Sequence, residues 1–184
     1  MSRPNTRPTP FTTRLKRLGQ LVLWLLRTMR ILRRDFHKAD QSERDQAVQR
    51  IARELLAIMQ VEVKVYGVVA QDMQRSLIAA NHSSWLDIFA LLAVYPMSFI
   101  AKQEIRTWPL IGGLIADAGT VFINRNQRKD TAKINAVIAA TLQENGTVAF
   151  FPEAKTSDGL GLLPFKAALF QAAITPTRAA NSLQ

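Results

Sequence analysis

The 184-residue chain contains no cysteine. Disulfides, thiolate metal sites and a thiol acyl-enzyme are therefore excluded, and the composition suits a reducing compartment. Histidine is nearly as scarce, with only His37 and His82. Two distant histidines without a thiol make a poor zinc ligand set, so no metal site is expected. The apolar run Leu21–Leu26 is far shorter than the ~20 residues a membrane-spanning helix needs. No small-residue cleavage site accompanies it, which argues against a removed signal peptide. There are no internal repeats and no G-x-S-x-G elbow to present a nucleophilic serine. Acid is missing from residues 1–34, which hold nine Lys/Arg: Arg3, Arg7, Arg14, Lys16, Arg17, Arg27, Arg30, Arg33 and Arg34.

The net charge of +10 thus resides almost wholly in this arm, and the other residues add only +1. Nucleic acid and an anionic membrane are the two partners such an arm suits. Its apolar content favours the membrane over nucleic acid. Leu18, Leu21, Val22, Leu25, Met29 and Leu32 recur at helical spacing, with Lys16, Arg27, Arg30 and Arg34 roughly opposite and Trp24 towards the flank. A helix lying in the membrane interface fits this pattern. A helix that packs its leucine face on the body and solvates its charges is the alternative. The body, in a chain 48% hydrophobic and 21% charged, is long enough for one domain with a substantial core.

Residues 1–12 read as a disordered basic tail and 13–59 as a helical, membrane-associating segment. The first helix is expected over Thr13–Phe36. A second starts near Asp40, with Glu43 placed as a capping-box partner and Val48, Ile51, Leu55, Ile58 and Met59 as its core stripe. Then the period changes. Val61, Val63 and Val65 alternate with Glu62, Lys64 and Tyr66, predicting a strand closed by Gly67. Strands are expected at 77–80, 98–101, 120–123 and 147–151, and helices over 84–95, 130–142 and near 165–174. Alternating strands and helices predict an α/β fold, a mixed and largely parallel sheet flanked by helices.

Polar residues collect just past the predicted strand ends, where such folds build sites. They are His82 with Asp87, Lys102, Asn124-Arg125, and Glu153 with Lys155. A neutral imidazole takes a proton near pH 7, and a carboxylate on one ring nitrogen leaves the other as base. By itself the His82–Asp87 pair favours a plainer reading, a helix-capping or core histidine with Asp87 as a first-turn dipole partner. Asn81 and Ser83 read as turn and helix-start residues, and His37 as a surface residue near the end of the basic helix.

Four segments in order carry a resemblance. Asn81-His82-Ser83-Ser84-Trp85-Leu86-Asp87 resembles the NHxxxxD block of the glycerolipid acyltransferases, whose best-known members acylate lysophosphatidic acid. Phe99-Ile100-Ala101-Lys102 with Pro109-Leu110-Ile111-Gly112 resembles the segment that follows. Gly119–Arg125 resembles the GxxFxxR block, and Phe151-Pro152-Glu153-Ala154 the FPEG block, with Leu162-Leu163-Pro164-Phe165-Lys166 trailing. The resemblance covers about residues 60–174. It implies an acyltransferase domain there, acting at the cytoplasmic face of a membrane in phospholipid synthesis.

The implied chemistry makes His82 the base for a lipid hydroxyl and Asp87 its orienting partner. The donor is acyl-CoA or acyl-carrier protein, and no cofactor is needed. The acceptor is a lysophospholipid, expected to be 1-acyl-sn-glycerol-3-phosphate. Arg125, Lys102 and Lys155 would hold its phosphate, Glu153 would position it, and Trp108, Leu110 and Ile111 would line the acyl groove. Two departures stand out. Ala154 replaces the usual glycine, and Lys155-Thr156 replaces a common Thr-Arg, which keeps a lyso-ornithine lipid open as acceptor. After Ile174 the polar residues 175–184 read as a tail, so a C-terminally truncated member, even an inactive membrane-binding fragment, is a further expectation. A serine hydrolase using Ser83 or Ser84 and a non-enzymatic binder are the rivals from other classes.

Overall fold

The computed structural model describes residues 10–36, 38–67, 73–107, 120–123, 136, 138–144, 146–166 and 170. The first helix, α1, spans Phe11–Arg34 and the second, α2, Gln41–Met59. The capping box at the start of α2 is formed: the Asp40 carboxylate accepts the Glu43 N–H at 2.8 Å, and Glu43 accepts the Asp40 N–H at 3.0 Å. The two helices form an antiparallel hairpin. Arg17 donates to the Gln60 amide oxygen, the Trp24 indole to the Ile51 carbonyl at 3.1 Å, and Arg44 lies over the Phe36 ring.

This pairing divides the expected stripe of α1 and shifts that of α2. The face of α1 turned inward carries Leu21, Trp24, Leu25, Thr28, Met29 and Leu32, the indole N–H finding its acceptor on α2. Phe11, Leu15, Leu18, Val22 and Leu26 are left at least half exposed, a second apolar stripe beside Lys16 and Arg30. On α2 the buried residues are Ile51, Ala52, Leu55 and Leu56, so Ala52 and Leu56 replace Ile58 and Met59 at the centre of the stripe. Among the described residues no helix is long and apolar enough to cross a membrane.

The helix α2 closes on Gln60 in the left-handed region (φ 57°), with the Val61 N–H returning to the Leu56 carbonyl at 2.8 Å. The following segment is not the predicted strand. Val63 alone of its three valines packs on the core, while Val61, Val65 and Tyr66 are exposed and none of these residues joins the sheet. Alternation in sequence makes a strand only where an edge is free to pair.

The sheet comprises β1 (Leu77–Ala79), β2 (Ser98–Lys102), β3 (Val121–Ile123) and β4 (Val148–Phe150), in the order β1-β4-β2-β3. Every pairing among the described residues is parallel, in keeping with the largely parallel sheet expected. Helix α3 (Leu86–Val94) connects β1 to β2, and the short α4 (Gln103–Arg106) follows β2. Successive residues of the central strand β4 point to opposite faces. Ala149 and Phe151 join Leu56, Leu92 and Phe99 under α2 and α3, whereas Val148 and Phe150 join Ile100 and Ile138 on the other side. Residues 138–143 are helical, as expected. The helix predicted near 165–174 falls mostly outside the described residues.

Candidate active site

Strand register assembles the site. Ala79 lies opposite Phe150 in the β1–β4 pair, and the Ala80 N–H donates to the Phe150 carbonyl at 3.2 Å. The chain leaving β1 towards His82 therefore runs beside the chain leaving β4 towards Glu153. Two blocks some seventy residues apart meet at the C-terminal edge of a parallel sheet, the usual place for a site in this architecture.

The imidazole and carboxylate meet as expected: His82 Nδ1 lies 3.0 Å from Asp87 Oδ2, both side chains being mostly buried. The same oxygen accepts the backbone N–H of Ser83 at 2.7 Å and of Ser84 at 2.8 Å, while Oδ1 takes the Ser83 hydroxyl at 3.3 Å. Asp87 sits in the first turn of α3, where the helix dipole favours a negative charge. A carboxylate so placed accepts only, so Nδ1 carries the proton and Nε2 keeps its lone pair. Ser83 and Ser84 thus shape the turn. Their hydroxyls serve Asp87 and the Leu86 N–H, and neither bonds to the imidazole as a hydrolase nucleophile would.

The loop after β4 grips His82 from the other side. Glu153, only 3% exposed, accepts the His82 N–H on Oε2 at 3.4 Å, and its Oε1 is buried without a hydrogen-bond partner among the described residues. The Ser157 N–H donates to the His82 carbonyl at 2.7 Å. The Lys166 N–H returns to the Pro152 carbonyl at 3.0 Å and closes the loop at its base. Lys155 is exposed on this loop. Lys102 ends β2 at the same edge of the sheet. Arg125, Asn124, Trp108, Leu110, Ile111 and His37 lie outside the described residues, their side chains included. A residue that sequence reasoning missed is Phe151, whose ring stacks on His82 at a centroid separation of 4.0 Å. Its place in the motif was visible, but a strand-end phenylalanine reads as core.

Ala154 adopts φ 63°, the left-handed conformation that the usual glycine of this block enters freely. Ala154→Gly is therefore expected to stabilise the chain by roughly 0.5–1 kcal/mol, strain relief outweighing the entropy of the more flexible unfolded state. A urea midpoint that rises at unchanged slope is the expected reading. A midpoint that stays or falls means that the loop carries this conformation without strain.

A cavity of about 510 Å³ lies away from these groups, lined by Arg44, Asp45, Tyr95, Ser98, Glu144 and Thr147 among others. Ser98 and Thr147 stand at the starts of β2 and β4, so this cavity belongs to the opposite end of the sheet. Partial burial there raises the Asp45 carboxyl above its usual range, and the Gln41 hydrogen bond opposes the shift.

A parallel α/β sheet that holds an oriented imidazole at its C-terminal edge is an arrangement capable of general-base chemistry. The chain belongs to the acyltransferase family, whose model matches residues 62–179. It is 52% identical over 164 residues to the 1-acyl-sn-glycerol-3-phosphate acyltransferase of Neisseria meningitidis serogroup B, an alignment covering 89% of this chain and 64% of that one. It is 41% identical over 111 residues to the lyso-ornithine lipid O-acyltransferase of Rhodobacter capsulatus, covering 60% and 40% of the two chains. The fold resembles the crystal structure of the 1-acyl-sn-glycerophosphate (LPA) acyltransferase from Thermotoga maritima, with a TM-score of 0.63, 20% identity and coverage of 88% and 70%. The chain thus spans less than two thirds of these two relatives' length.

Proposed function

We propose that the protein transfers a fatty acyl group from acyl-CoA or acyl-carrier protein to the free hydroxyl of 1-acyl-sn-glycerol-3-phosphate. The observation that carries this reading is the His82–Asp87 pair, with Nδ1 engaged at 3.0 Å and Nε2 left as the base. Nε2 takes the proton of the acceptor hydroxyl as its oxygen attacks the thioester carbon. The C–S bond then breaks, and the departing thiolate recovers the proton from the imidazolium. The lipid supplies the nucleophile, which suits a chain without cysteine.

Lys102, Lys155 and Arg125 are the cations assigned to the acceptor phosphate, a ligand matched by ammonium and guanidinium donors. Glu153 acts as a positioning carboxylate through the His82 backbone N–H. The exposed apolar stripe of α1, with Lys16, Arg30, Arg33 and Arg34 near it, is assigned to an anionic membrane surface at the cytoplasmic face. Each basic residue near such a surface contributes about 1 kcal/mol of attraction.

A panel of lysolipids in anionic vesicles, offered with labelled acyl-CoA and acyl-carrier protein, tests the proposal. Acylated product from 1-acyl-sn-glycerol-3-phosphate is expected, at a rate at least ~10-fold above that from a lysolipid without the phosphate monoester, the value of one charge-assisted hydrogen bond. The protein should sediment with the vesicles, and less so in high salt. A preference for lyso-ornithine lipid would overturn the acceptor while leaving the chemistry standing. Failure to acylate any lysolipid would overturn the reading as a whole.

A further inference from the structure

Phe151 is the first residue beyond β4, and its ring lies face-on to the His82 imidazole, with centroids 4.0 Å apart and planes 17° from parallel. Behind it stands Phe99 of β2, its ring 6.0 Å away and tilted 22°. Register explains the column. Phe99 pairs with Ala149, and Ala149 and Phe151 point to the same side of β4, so both phenylalanines share that face. Three rings thus lead from the core to the site, and the two phenylalanines are at most 9% exposed. Packing alone requires an apolar side chain here. It does not require a ring lying flat against the imidazole.

We propose that Phe151 is a positioning residue for His82, a plate that fixes the plane of the imidazole and stabilises the imidazolium formed during acyl transfer. The proposal rests on the reading of His82 as the base. Asp87 holds the imidazole by one edge through a single hydrogen bond, which leaves the ring able to tilt about that contact. A flat surface on one side removes the tilt and keeps Nε2 aimed at the acceptor hydroxyl. An aromatic face within ~6 Å also attracts a cation more than a neutral ring. The contact therefore strengthens as the proton arrives, and it favours the transition state over the ground state.

The test uses the full chain with His37→Gln, so that His82 supplies the sole imidazole signals in proton NMR. In this background the ring protons of His82 are expected upfield of their free positions, shifted by the Phe151 ring current. Phe151→Leu should return them downfield. It should also lower kcat about 3- to 30-fold, with the KM for the lysolipid within about twofold. Phe151→Tyr keeps the ring and should keep both the upfield shift and most of kcat. The proposal is overturned if Phe151→Leu retains wild-type kcat, if it raises KM alone, or if tyrosine and leucine lower kcat alike. Should the leucine variant lack a cooperative thermal transition, the parent chain still decides: unshifted His82 protons would show that no stack exists. Transfer that survives His82→Ala would instead remove the base assignment, an outcome the ring-current shift does not affect.

Discussion

His82→Ala is expected to lower acyl transfer by ~10²–10⁴-fold, the usual worth of a positioned general base. A lipid hydroxyl gives up its proton with difficulty at neutral pH, and none of the described side chains stands ready to replace the imidazole. Asp87 is engaged by three donors on Oδ2 and one on Oδ1, and Glu153 is buried behind the His82 backbone. Folding should survive, since the His82 side chain is partly exposed and its backbone contacts to Glu153 and Ser157 do not need the ring. Binding to anionic vesicles should survive as well, because α1 is a separate element. Loss of turnover with retained vesicle sedimentation and an intact thermal transition is the combination to look for. Full turnover in the alanine variant would leave a membrane-binding protein without this chemistry.

The parts of this structure legible in the sequence are those that depend on neighbours in the chain. The Asp40–Glu43 capping box, the position of each strand of the sheet and the Asp87–His82 spacing all follow from local rules. Segment 61–66 was misread because its alternation meets a strand's local requirement while pairing is decided elsewhere. The stripe expected on α1 is divided for a related reason: spacing puts Leu18, Leu21, Val22, Leu25, Met29 and Leu32 on one face, and contact with α2 buries Leu32 while Leu18 and Val22 stay exposed. The stack on His82 was hidden too, since it depends on β1 and β4 being neighbours in space. Motifs marked the candidate site residues; register decided what surrounds them.

Asp87→Asn isolates what the negative charge contributes, and its outcome follows from the donors around Oδ2. Two of these are backbone N–H groups, at 2.7 and 2.8 Å, and neither can reverse its role. An asparagine must therefore turn its carbonyl oxygen towards them and its NH₂ towards the Ser83 hydroxyl, which can accept. The imidazole then still donates from Nδ1, and Nε2 remains the base. A tautomer switch, worth ~10⁴ where an analogous aspartate is replaced by asparagine, is blocked here by the local turn. What disappears is the charge opposite the imidazolium, so kcat should fall by roughly 10²–10³-fold rather than 10⁴. Stability should fall by roughly 1–2 kcal/mol, because several charge-assisted hydrogen bonds become neutral ones and the first turn of α3 loses its anion. Turnover at saturating lysolipid together with urea unfolding gives both numbers. A kcat within about threefold of wild type would mean that Asp87 orients the ring without stabilising its charge. A fall beyond ~10³-fold, to the ~10⁴ of a tautomer switch, would mean that the amide has flipped and the wrong nitrogen carries the proton.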